Sequence, residues 1–429
     1  MRRADHRRAS RPARHPRTGA ATPGGAPLAV AGLGLRLPGV TRVGDLVRRL
    51  GGPPAPPPAV RRFAAPGSDL DPVERLAWGP VEPRVPETAA GRGLRALPYE
   101  SLLALAAAAS ARDMAAAGPA PVTGETTAPV DPATVVGAGP PARPGSDDGP
   151  VAVLWASSTA GLSEYATVCV EAATLDPGLC SPLLGPASAF NGPAATVSIR
   201  LGLDGPNETL TGGPTAGLSA LAEAGRLVAE GSAGRALVGG SATVSRWSLA
   251  GAAGDTEAGA GGETGAWAAD GAGCLALRPC RDGEPGVRLG RVLRLGLDPA
   301  DLVTQCRDLV RGGSAPGTPP DGPLVVSTGD ADLVDALAKD HAWPVWHLER
   351  VLGDFGAAGG LLAAICAVAH CVHTPPPASL LVLAVEPSGN AAIMEVLSWE
   401  ASTLSSGCSA DTSPSGGVSA RRTSTTTAS

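Results

Sequence analysis

Apolar positions along the chain fall into two alternating rhythms. Short, nearly continuous runs such as LAVAGL (28–33), VAVLWASS (151–158) and AGCLALRP (272–279) predict strands buried on both faces. Stretches of helical period separate them. VGDLVRRL predicts a short helix after the first strand, and LPYESLLALAAAASARDMAAAG (97–118) a long one. Pro98 suits its first turn, Leu102, Leu103 and Leu105 mark its apolar face, and Gly118 ends it. In GPNETLTGGPTAGLSALAEAGRLVAEG (205–231) a polar strand runs through small residues into a helix with Leu218, Leu221, Gly225 and Val228 on one face. Gly217 and Gly225 cost that helix stability, so they are expected where another element approaches closely. RALVGGSATVS (235–245) predicts a strand with a glycine turn.

The rhythm then repeats. PADLVTQCRDLVRGG predicts a helix, GPLVVSTGD a strand and ADLVDALAKDH a helix. GDFGAAGGLLAAICAVAHCV predicts a glycine turn feeding a buried helix, and ASLLVLAVEPSGNAAIMEVLSW a closing hairpin. The pattern predicts a layered α/β fold of two similar halves, 27–285 and 286–400. Residues 51–60, 119–149 and 251–265 are Pro- or Gly-rich and predict loops. A basic tail over 1–26 and a Ser/Thr-rich tail over 401–429 are expected to be disordered.

Composition narrows the function. The net charge of −6 gives no global field for nucleic acid, and the basic N-terminal segment reads as a solvated arm. The sequence reading finds no apolar run of membrane length and no signal peptide, so a cytoplasmic protein without a membrane role is expected. Eight cysteines in 429 residues are scattered, not a disulfide framework. Cys366, His370, Cys371 and His373 stand close together, but their window reads as a helix end, with no second ligand pair at zinc-like spacing. Neither a metal nor a cofactor is expected.

The strand-to-helix corner at Gly212, Gly213 and Pro214 is where the chemistry should be, because a helix N-terminus stabilises negative charge. Proline carries no nucleophile. Thr215 beside it would need a base and an oxyanion hole, and reads instead as a hydroxyl bonded within its own helix. His347 reads as a packed or surface residue. Pro214 also suits the first helical position, and Glu349 and Asp354, ahead of a helix, suit its dipole.

Over residues 28–400 the chain resembles the β-ketoacyl synthases, condensing enzymes of the thiolase fold. The resemblance rests on LAVAGLGLRLPGVTRVGDLVRRLGG, LPYESLLALAAAASARDMAAAG, CSPLLGPASAFNGPAATVSIRLGLDGPNETLTGG, ALVGGSATVS and GDFGAAGG, in that order. It implies a layered αβαβα fold. It also implies a tetrad of cysteine, two histidines and lysine, and the matching positions hold Pro214, Thr328, Asp354 and Glu349. Of the family's closing loop only Gly389 and Asn390 are recognisable. Pro214 removes both the thiol and the backbone N–H that the family uses as an oxyanion donor.

The resemblance therefore implies a non-catalytic subunit of the chain length factor type. Its expected partners are an active ketosynthase and an acyl carrier protein, with Leu184, Phe190 and Thr211 lining a tunnel or interface. In that sister subunit a glutamine usually stands at the cysteine position, where this chain has proline. The alternatives are an active synthase or acyltransferase with displaced residues, using Cys169 or Cys180, and a self-pairing scaffold that binds the carrier.

Overall fold

The computed structural model describes residues 27–40, 42–52, 60–64, 74–117, 149–175, 177–253, 267–281, 284–312, 322–340, 344–376 and 378–399. The two tails and most of the loops expected at 51–60, 119–149 and 251–265 lie outside these residues.

Thirteen strands form an eleven-stranded mixed sheet and a separate hairpin, among the described residues. They are β1 (Leu28–Arg36), β2 (Val60–Ala64), β3 (Glu74–Trp78), β4 (Val151–Ala156), β5 (Asn207–Leu210), β6 (Arg235–Ala242), β7 (Gly271–Pro279), β8 (Gly286–Leu289), β9 (Leu293–Gly296), β10 (Leu324–Ser327), β11 (Val345–His347), β12 (Ala378–Val385) and β13 (Asn390–Trp399). The helices are α1 (Val43–Leu50), α2 (Tyr99–Ala117), α3 (Leu162–Thr174), α4 (Leu184–Ala187), α5 (Gly192–Leu201), α6 (Thr215–Ala229), α7 (Arg246–Ala253), α8 (Leu302–Gly312), α9 (Ala331–Asp340), α10 (Leu348–Leu352) and α11 (Gly359–His373).

The sheet order shows a repeated unit. On one side β5-β4-β6-β7-β1 has its first three strands parallel and the last two antiparallel. On the other, β11-β10-β12-β13-β8 has the same directions. The two sets join through only two residue pairs, Leu28 with Leu289 and Ala29 with Arg288.

Strand alternation builds the layers. Ala152 and Leu154 of β4 and Leu380, Val382 and Ala384 of β12 face one shared core that contains α6 and α11. Val153 and Trp155 face α2 and α5, whereas Leu381, Leu383 and Val385 face α8 and α9. The result is helix, sheet, central helices, sheet, helix. Central α11 needs an apolar surface all round, which is why its sequence is Leu, Ala, Ile, Val and Cys with no charge before His370. The stretch 356–373 is long and apolar enough to cross a bilayer, which corrects the sequence reading, but 78% of it is buried between the two sheets. A central layer of a globular fold meets the same compositional demand as a membrane span.

Two glycine expectations resolve differently. Gly217 lies against α11, and a Cβ there would sit 2.3 Å from the Leu361 nitrogen, as the close-approach reading requires. Gly239 and Gly240 form no turn. They lie within β6 because a Cβ on Gly239 would strike the Trp155 ring at 2.0 Å, and one on Gly240 would meet Ala358 at 2.9 Å.

Candidate functional site

The corner before α6 is shaped by backbone constraints. Gly212 takes a φ of +139°, a region L side chains rarely adopt, and Pro214 follows with φ −58° and ψ −23° as the residue capping α6. The Pro214 carbonyl accepts from the Gly360 nitrogen at 3.0 Å, so the starts of the two central helices are tied together. A Cβ on Gly360 would lie 2.3 Å from that carbonyl, so this contact admits only glycine.

Around this junction the fold gathers the matched positions from distant parts of the chain. The absent Cβ of Gly359 would lie 3.4 Å from Pro214 Cβ, 3.4 Å from Glu349 Oε1 and 2.4 Å from Ser327 Oγ. Glu349, in α10, is only 2% exposed, and its Oε1 accepts from Ser327 Oγ at 2.6 Å. Its Oε2 accepts no hydrogen bond among the described residues and lies 3.2 Å from His347 Nε2. His347 is buried too, and its Nε2 lies 2.9 Å from the Thr328 carbonyl. A carbonyl can only accept, so Nε2 carries the proton and Nδ1 is left without a partner among the described residues.

Thr328 is buried at the end of β10, but its hydroxyl turns into its own loop and accepts from the Asp330 nitrogen at 3.2 Å. Asp354 is exposed, with Oδ1 accepting from the Gly356 nitrogen at 2.8 Å ahead of α11. Pro214, Glu349 and their neighbours therefore cluster, while the Thr328 hydroxyl and Asp354 Oδ1 are spent locally and Thr328 meets the cluster only through its carbonyl. Ser327 is the buried group that reaches the cluster, one residue before the position matched to the first histidine. The polar side chains gathered at the corner are thus Glu349, His347 and Ser327, with no thiol or amine among them.

Thr215 departs from its expectation. Its hydroxyl donates to Glu386 Oε1, a carboxylate from the β12–β13 turn, and not to its own helix. Glu386 is held in turn by Asn390 Nδ2 at 2.9 Å and Ser388 Oγ at 3.2 Å. Burial alone would push this carboxyl up, but the Thr215, Asn390 and Ser388 bonds outweigh it and hold the group below the usual carboxylate range.

A second buried carboxylate braces the scaffold. Glu100 of α2 is 4% exposed and receives four hydroxyls: Ser157 at 2.5 Å and Ser241 at 2.8 Å on Oε1, Thr159 at 2.9 Å and Thr243 at 3.0 Å on Oε2. Three of these hydroxyls already accept an N–H, from Thr159 and Ala160, from Trp155 Nε1, and from Thr243. Their own protons are thereby committed to Glu100. Burial nonetheless pushes the Glu100 carboxyl up, with the four hydroxyls opposing. The same loop carries Ser158, whose Oγ accepts from the Ala357 nitrogen at 3.5 Å, so the clamp reaches the turn before α11.

Leu184 is half-buried at the start of α4, and Phe190 and Thr211 are exposed. Phe190, Leu179, Leu183, Tyr165 and Ile199 are exposed large apolar side chains, and Ile199 lies on α5, which packs against the sheet-edge strand β5. Cys169 is exposed in the middle of α3 and Cys180 lies in the turn beyond it, neither at a helix start. At the end of α11, His370 Nε2 lies 3.2 Å from Thr374 Oγ1 and His373 Nδ1 2.9 Å from the Ala369 carbonyl. Among the described residues no three His, Cys, Asp or Glu side chains converge as metal ligands would.

Residues 135–282 match the family model described as "Beta-ketoacyl synthase, N-terminal domain". Comparison with curated proteins by sequence finds no match. Among solved structures, the ishigamide ketosynthase/chain length factor is similar at a TM-score of 0.60 and 20% identity, covering 87% of this chain and 100% of its own. A type II polyketide synthase acyl carrier protein in complex with its ketosynthase bound to the hexaketide is similar at 0.59 and 13% identity, covering 87% and 99%. Ketosynthase twelve of the bacillaene polyketide synthase from Bacillus amyloliquefaciens is similar at 0.56 and 13% identity, covering 87% and 73%. The chain has the fold of these ketosynthases, and residues 135–282 carry the β-ketoacyl synthase N-terminal domain match, with a proline at position 214 where the sequence resemblance puts the cysteine.

Proposed function

We propose that this chain is the non-condensing member of a ketosynthase pair, in the manner of a chain length factor. In this reading it joins an active ketosynthase, helps to recruit the acyl carrier protein, and forms part of the wall that limits acyl chain growth. The observation that carries the reading is Pro214: its position at the start of α6 has neither a nucleophile nor an N–H, and the buried groups around it are Glu349, His347 and Ser327. A carboxylate at the matched lysine position repels the developing enolate that the family's cationic site would stabilise. The pairing surface is β5, a sheet-edge strand whose outer side has no partner in the described sheet, together with the exposed Leu183, Phe190 and Ile199. Leu184 and Thr211, on the same stretch, are the proposed lining of the shared tunnel. The halves are proposed as 27–285 and 286–400, a division that the repeated strand order supports, and the pair is proposed to work in the cytoplasm.

Co-expression with a ketosynthase encoded beside it should yield a stable complex on affinity purification. Isolation only as a monomer, with and without that partner, would refute the pairing. Intact-mass measurement after incubation with an acyl carrier thioester should show no adduct on this chain. Pro214→Cys should leave condensing turnover at background, because Thr328, Glu349 and Asp354 still replace the other three groups. Turnover from that single change would overturn the assignment of all four positions.

A further inference from the structure

The β12–β13 turn places a carboxylate on the start of α6, and its whole construction serves that placement. We propose that Glu386 is an internal anion, a latch that occupies the α6 N-terminus and keeps other anions out of the corner. The inference rests on reading that corner as one without acyl chemistry.

The donors at the helix start are few. Pro214 has none, so Thr215 supplies the first. Its hydroxyl donates to Glu386 Oε1, and the next N–H, from Ala216, is spent on the Gly213 carbonyl at 3.0 Å. Space is filled as well as charge. The absent Cβ of Gly213 would lie 2.8 Å from Glu386 Cγ and 2.9 Å from its Cδ and Oε1, so the carboxylate lies flat against the backbone of the corner. A helix of fifteen residues presents a partial positive charge there, and the latch satisfies it from within the chain.

The turn is built rigidly behind the carboxylate. The Glu386 nitrogen donates to the Asn390 carbonyl at 2.8 Å, and the Gly389 nitrogen to the Glu386 carbonyl at 2.9 Å. Gly389 takes a φ of +90°, and a Cβ on it would lie 2.2 Å from the Leu297 carbonyl. The Leu297 nitrogen donates back to Gly389 at 2.7 Å, which anchors the turn to the end of β9. Asn390 Nδ2 and Ser388 Oγ then fix Glu386 Oε2. Gly389 and Asn390, the two residues that resemble the family's closing loop, here hold a side chain against α6.

The test is a phosphate titration of the full chain followed by thermal unfolding, with sodium chloride at matched ionic strength as the control. The wild type should show no saturable shift of Tm beyond that control. Glu386→Ala should show a saturable rise in Tm with phosphate, and Thr215→Val combined with Glu386→Ala should abolish it. Glu386→Ser, which removes both the carboxylate and its bulk, gives the same reading if the alanine variant does not accumulate. An equal saturable shift in the wild type, or none in either Glu386 variant, would overturn the latch. An acyl adduct in the intact-mass experiment would instead sink the non-condensing reading, so the two failures are separable.

Discussion

Gly239 shows how a single residue is dictated by its neighbour across the sheet. It sits in β6 beside Trp155, a fully buried side chain whose indole N–H donates to Ser241 Oγ at 2.9 Å. Because the ring is held at both ends, it cannot swing away from an added methyl. Gly239→Ala should therefore destabilise the fold by about 1–3 kcal/mol, read as a lower denaturant midpoint at unchanged m-value. Glu100 makes a second residue-scale prediction. Its folded-state value is raised, so between the ordinary glutamate range and that value the native chain binds more protons than the unfolded one. Stability then falls as pH rises through this window. Glu100→Gln should flatten that segment of the stability-against-pH curve. The same variant should lose about 1–3 kcal/mol at neutral pH, since its amide N–H groups meet hydroxyls already committed as donors.

At the scale of elements, β5 is short and exposed at Asn207 and Glu208, and its other side pairs in parallel with β4. A strand so placed needs a cover, and two large apolar side chains, Leu183 and Ile199, are too exposed to belong to this chain's own core. Leu183 is 75% exposed and Ile199 78%. Leu183→Asp and Ile199→Asp should each leave the stability of the isolated chain within about 0.5 kcal/mol of wild type. Either change should weaken co-purification with the ketosynthase partner. Unchanged complex yield from the double variant would place the interface elsewhere. The central helices follow the opposite logic. α6 carries glycine where α11 presses on it, and α11 carries glycine where it receives the Pro214 carbonyl, so the two starts approach by backbone contact.

For the whole molecule, two equivalent five-strand sets enclose one pair of central helices, and the candidate site lies where the starts of those helices meet. Periodicity alone disclosed most strands and helices, because strands buried on both faces and a helix buried all round leave plain apolar runs. Gly217 inside a helix announced a close approach by another element, and the structure shows that element to be α11. Periodicity misled at Gly239 and Gly240, since a glycine inside a strand looks like a turn until the ring that needs its space is known. It could not show Glu386 on Thr215, which are 171 positions apart, nor four hydroxyls from two strand ends meeting on Glu100. Hydrogen bonds between side chains carry no sequence period. By itself the sequence determined the layered class, the order of elements and the proline that opens α6, because these depend on local polarity and on residue identity. Only the tertiary structure decided which polar groups meet at the corner. Those meetings depend on where distant turns are carried by the sheet, and burial then forces each group to find its partner.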